Sequence, residues 1–93
     1  MATVAVVFGN WHSKQPVMTG HLQTQALTSS GTSQDFTAAP SNVSCVEVVT
    51  SGGDVWISLN GSAASATNGF YLPDGTTRTF DSGPGTVVKV IDA

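Results

Sequence analysis

The residues of this chain that could do chemistry are few: His12 and His21, a single cysteine, Cys45, and six carboxylates, Asp35, Glu47, Asp54, Asp74, Asp81 and Asp92. A zinc centre needs three or four ligands drawn from His, Cys and carboxylate. The two histidines flank a Lys-Gln-Pro segment and stand at no compact ligand spacing from each other or from Cys45. No metal and no cofactor are expected. A serine nucleophile wants a base and a turn that exposes it, and the Gly-x-Ser-x-Gly turn is missing. Glycoside hydrolysis needs two facing carboxylates. Asp54, Asp74, Asp81 and Asp92 fall instead at turns or strand ends, where Asp is expected for its local hydrogen bonding. The stretches "SGGD" and "SGPG" fit neither a phosphate-binding loop nor a dinucleotide fingerprint and read as turns. The chain is therefore not expected to be an enzyme. One cysteine cannot form an internal disulfide, and Cys45 reads as a small core or near-core strand residue.

Composition narrows the remaining classes. Ninety-three residues make one domain, so residues 1–93 are expected to form a single β domain. Only 10% of the residues are charged, and Lys14, Arg78 and Lys89 are the only Lys and Arg. Three cations cannot track a phosphate backbone, so nucleic acid is not an expected partner. Nor is a membrane, since no run reaches the roughly 20 apolar residues of a span. The opening "MATVAVVFGNWHSK" has no basic segment ahead of its apolar run, which argues against a signal peptide and for synthesis in a cytoplasm. A chain of this size has a modest core and gains stability by oligomerising or by docking on a larger assembly.

The elements that must position these residues are strands. Ser and Thr supply 23 residues, and the usual helix formers are scarce in the middle of the chain. Thr3 to Phe8 is β-branched, with Val4, Val6 and Phe8 on one face. Residues 16–28 alternate in their second half, Leu22, Thr24 and Ala26 opposing Gln23, Gln25 and Leu27. "DFTA" is a short strand closed by Pro40. Asn42 to Thr50 places Val46 and Val48 opposite Cys45, Glu47 and Val49. After "SGGD", Val55 to Asn60 puts Val55, Ile57 and Leu59 opposite Trp56, Ser58 and Asn60, and the two segments read as a hairpin. A small-residue loop, Gly61 to Gly69, leads to a short apolar strand ending at Leu72. Pro73-Asp74-Gly75 is a turn, Thr76 to Phe80 alternates again, and Thr86 to Asp92 closes the chain. Seven or eight short strands with recurrent turns predict an antiparallel β-sandwich or barrel, jelly-roll-like in form. The N-terminal third has room for two strands and a loop, or for an extended arm within residues 1–40, Met1 to Phe8, that adds a strand to a neighbour's sheet.

The aromatic residues are the open question. Trp11, Trp56 and Tyr71 could line a sugar-binding surface, whereas Trp56 in mid-strand equally suits a core edge or a subunit interface. In "GFYLPDGTTRTF" the aromatics turn a corner. Phe70, Leu72 and Phe80 are expected in the core, and Tyr71 has a face to spare.

From Val43 to Ile91 the chain resembles small virion proteins of tailed bacteriophages. The resemblance is carried by "V-x-I" at Val55 to Ile57, the "LP-x-G" corner at Leu72 to Gly75, and "G-x-x-V-x-V-I" at Gly85 to Ile91. It implies a non-enzymatic structural part of the virion, made in the host cytoplasm. The expected role is a capsid cement or decoration protein that binds the major capsid protein or other virion proteins and forms a homo-oligomer, a trimer at capsid three-fold positions. A tail, fibre-joint or baseplate component and a carbohydrate-binding module are the other readings. The surface expected to dock comprises Trp11, Trp56, Phe70, Tyr71 and Leu72.

Overall fold

The computed structural model describes residues 2–11 and 18–93, with only the main chain of Met18, Thr19 and His21. Eight strands are present among them and no helix. They are β1 (Thr3–Trp11), β2 (Met18–Thr28), β3 (Gln34–Asp35), β4 (Cys45–Ser51), β5 (Val55–Ser58), β6 (Phe70–Leu72), β7 (Thr77–Asp81) and β8 (Lys89–Asp92). They form two four-stranded antiparallel sheets, ordered β2-β1-β4-β7 and β3-β8-β5-β6. Only β1 to β2 and β5 to β6 are consecutive strands paired within one sheet; every other connection crosses between sheets. That wrapping makes the sandwich jelly-roll-like, as the strand count and turn spacing predict.

Alternation decides which side of each strand is buried. Val4, Val6 and Phe8 of β1, Val46 and Val48 of β4, Val55 and Ile57 of β5, and Val90 of β8 are all fully buried in one core cluster. Strand residues two apart share a face, so these sets meet between the sheets. Ala2, Phe36, Ala39, Val43, Leu72, Phe80 and Val88 complete the core from strands and connections.

Two expectations change. β4 and β5 do not pair. β4 lies between β1 and β7, and β5 between β8 and β6, so the short connection after Ser51 is a corner between sheets rather than a hairpin turn. Val46 and Val48 of β4 and Val55 and Ile57 of β5 give each strand a largely apolar face, and setting these faces opposite each other buries both. Thr50 locks the corner: its hydroxyl donates to Pro73 O at 2.8 Å, and its amide donates to Thr76 O at 2.9 Å. Second, Thr3–Trp11 is not an arm. It is flanked by β2 and β4 and has a fully buried face, so giving it to a neighbour would open sheet A (the sheet of β1) and its core. Met1 and His12 to Val17 lie outside the described residues.

Candidate functional site

The outer face of sheet B, the sheet of β5, carries an aromatic pair, the half-buried Trp56 and the exposed Tyr71. Trp56 lies opposite Tyr71 on one side and Ile91 on the other. Residues directly opposite in an antiparallel ladder share a face, so the three form one apolar row across β6, β5 and β8. The Trp56 and Tyr71 rings are 5.2 Å apart and tilted by 54°. Tyr71 remains 43% exposed, which is the spare face its position predicts. Asp35 and Lys89 border the row with an ion pair of 3.0 Å.

Tyr71 is held from below by a turn network. Its hydroxyl donates to Asp54 Oδ2 at 2.7 Å, and the amide of Asp74 donates to Asp54 Oδ1 at 2.8 Å. Asp74 Oδ1 in turn accepts from the amide of Gly52 at 2.8 Å. The two corners that link the sheets on this side, after β4 and after β6, are thereby tied to each other. The Tyr71 hydroxyl, and after it the Asp74 amide, hold the Asp54 carboxyl below its ordinary value. The same bond, with lesser help from burial, raises the Tyr71 phenol.

The other expected docking residues separate. Leu72 is only 1% exposed and belongs to the core, because β6 turns it inward opposite Val55. Phe70, expected in the core, is 44% exposed. β6 is the last strand of its sheet, and among the described residues no strand beyond it covers this ring. Phe70 packs on Phe80 with ring centroids 4.8 Å apart, and the Arg78 guanidinium sits over both rings at 5.3 Å. Trp11 is on the opposite sheet. Its indole N–H donates to Asp81 Oδ1 at 2.8 Å, joining β1 to β7 across the start of β4, and its amide donates to the Ser44 hydroxyl at 2.9 Å. Trp11, Trp56 and Tyr71 therefore make no common aromatic platform.

Sequence reasoning missed the order in the small-residue loop. A groove of about 310 Å³ runs between Ile57–Asn60 and Asn68–Phe70. Its far wall is fixed by amide side chains: Asn68 Nδ2 donates to Ala63 O at 2.9 Å, and Asn60 Nδ2 donates to Asn68 Oδ1 at 2.6 Å. The Ser58 hydroxyl donates to Ser62 O at 2.7 Å from inside the loop. The available signal was a pair of asparagines bracketing a run of Gly, Ala and Ser, since asparagine caps main-chain groups in turns.

Cys45 is fully buried, and burial, with Asp81 and Glu47 adding, pushes its thiol up. Among the described residues no three His, Cys, Asp or Glu side chains gather in a way that could hold a metal ion. His12 lies outside the described residues, and only the main chain of His21 is described. Searches against protein-family models, curated proteins and solved structures return no match for this chain.

Proposed function

We propose that this protein is a capsid cement or decoration protein of a tailed bacteriophage, and that it docks on neighbouring capsid subunits through the Tyr71–Trp56–Ile91 row. One observation carries the docking surface: a partly exposed Trp–Tyr pair sits on the outer sheet face, with its tyrosine hydroxyl pinned by Asp54. Rigid, partly exposed aromatic side chains are the usual energetic centres of protein interfaces, because they bury large area at small entropic cost. The virion assignment rests on the resemblance of Val43 to Ile91, and the low charge of the chain agrees with apolar docking. Self-association into a trimer on the capsid belongs to the same reading.

The test is binding of the purified protein to capsids that lack it. Binding is expected to persist in about 1 M NaCl, where the Debye length falls to roughly 3 Å and exposed charge pairs are screened. Trp56→Ala is expected to weaken binding by about 30-fold, the equivalent of about 2 kcal/mol. Release by salt, or undiminished binding of Trp56→Ala, overturns the proposal. A glycan array that lights up with the wild type and not with Trp56→Ala or Tyr71→Ala replaces it with the carbohydrate-binding reading.

A further inference from the structure

β7 closes sheet A, and its pairing with β4 uses only half of its main chain. The amide of Thr50 donates to Thr76 O at 2.9 Å, and the amide of Ser82 donates to Ser44 O at 3.1 Å. Between these two bonds, Arg78 faces Val48 and Phe80 faces Val46. Antiparallel ladders alternate, so Arg78 and Phe80 turn their N–H and C=O groups toward β4. Thr77 and Thr79 turn theirs away, off the edge of the sheet. Among the described residues nothing pairs with them, since β7 has no second neighbour. An edge of this kind is a template for another strand. Three of the five residues of β7 are apolar-tolerant strand formers of the Thr and Phe type, and none is Pro or Gly.

A charge stands unanswered at the same edge. Lys89 is paired with Asp35 at 3.0 Å. Arg78 has no carboxylate partner among the described residues, although the chain carries a net charge of −3. It sits instead over the rings of Phe70 and Phe80. Contact with a ring face leaves the in-plane N–H donors of a guanidinium for a planar acceptor. Beside it, Phe70 is 44% exposed at the open side of the sandwich.

We propose that the β7 edge receives an extended segment of a partner protein, paired antiparallel to β7, with a carboxylate opposite Arg78 and an apolar residue opposite Phe80. The main chain of Thr77 and Thr79 supplies the ladder bonds. Arg78 and its opposite residue then form a non-hydrogen-bonded pair, where side chains approach most closely. Both named side chains fall on the inner face, so the apolar one covers Phe70. Read from its N-terminus, the segment has the pattern apolar, any residue, acidic. This surface is separate from the Trp56–Tyr71 row and takes such a segment whether or not the partner is a capsid subunit.

The test is a titration of isotope-labelled protein with the capped peptide Thr-Val-Thr-Glu-Thr, to millimolar concentration, followed by amide chemical shifts. The same peptide with Lys in place of Glu is the control. The amides of Thr77 and Thr79 are expected to shift most, and the Glu peptide to bind the tighter of the two. Arg78→Glu is expected to invert that preference, moving the ratio of the two affinities by roughly tenfold or more. Thr79→Pro is expected to abolish binding of both peptides with little change in thermal midpoint, because that N–H has no partner among the described residues. Equal affinity of the two peptides, shifts confined to another edge, no shift at millimolar peptide, or unchanged binding by a folded Thr79→Pro each overturns the proposal. Circular dichroism of both variants confirms folding before they are compared. A Trp56→Ala protein that loses capsid binding and keeps peptide binding separates this surface from the other.

Discussion

Tyr71 is the only tyrosine in the chain, so its ionisation can be followed alone by absorbance. Its phenol donates to Asp54, which raises its folded-state value. The stabilisation from that bond is complete below the ordinary tyrosine value of about 10 and is lost as pH rises through the higher folded one. Tyrosinate is therefore expected to appear above the ordinary range, and Asp54→Asn is expected to bring its midpoint down. Asp54 has the opposite sign. Its folded value is lowered, so its contribution is complete above about pH 4 and is lost as pH falls through the depressed value. Thermal midpoints of wild type and Asp54→Asn should accordingly differ near neutrality and converge in acid; a difference that persists in strong acid contradicts this account. The exposure of Tyr71 was legible in the sequence, because alternation from a buried Leu72 assigns it to the other face. Its partner was not. An aspartate at a turn already has a local explanation, and nothing in the sequence joins it to a hydroxyl 17 residues away.

At the scale of elements, strand faces were legible and strand neighbours were not. Period-two alternation sorted the residues of β1, β4 and β5 onto two faces, and the set Val4, Val6 and Phe8, the set Val46 and Val48, and the pair Val55 and Ile57 each lie together in the core whichever strand lies alongside. The connection from β4 to β5 is short enough for a hairpin and for a corner alike, and the choice depends on which faces must meet across the core. Phe70 shows the same gap. Its side was inferred correctly as that of Leu72, but its exposure depends on β6 standing last in its sheet. The join between β5 and β6 also sets a steric rule that spacing could not reveal. Gly69 passes so close to β5 that an added Cβ would stand 2.6 Å from Ile57 O. The obstacle is main chain and cannot rotate away. Gly69→Ala is expected to lower stability by about 1–3 kcal/mol, read as a lower urea midpoint with unchanged slope. It should also deform the groove beside Phe70. An unchanged midpoint means that β6 can move away from β5 without loss.

For the whole molecule, Cys45 is the natural reporter. It lies in β4, an interior strand of sheet A, and is fully buried with its thiol pushed up. A thiol reagent reaches it only when that sheet opens. Labelling of the native protein is expected to be slower than that of the unfolded chain by about a thousandfold or more, given ordinary domain stability. Rapid labelling under native conditions would mean that β1 or β7 detaches on its own. The sequence indicated the class of the fold and the burial of Cys45, because both follow from local pattern. It left the N-terminal segment open between an arm and two strands of the sandwich, because an apolar strand at a chain end looks the same whether it is lent outward or kept. Its actual place has a consequence for biosynthesis. β1 is made before either of its neighbours, and the neighbour that closes its second side, β4, emerges much later; sheet B likewise lacks an interior strand until β8 is made. A nascent chain on the ribosome therefore holds β1 paired along one edge only, with β2, until β4 emerges, and the sandwich can close only once β8 has cleared the exit tunnel.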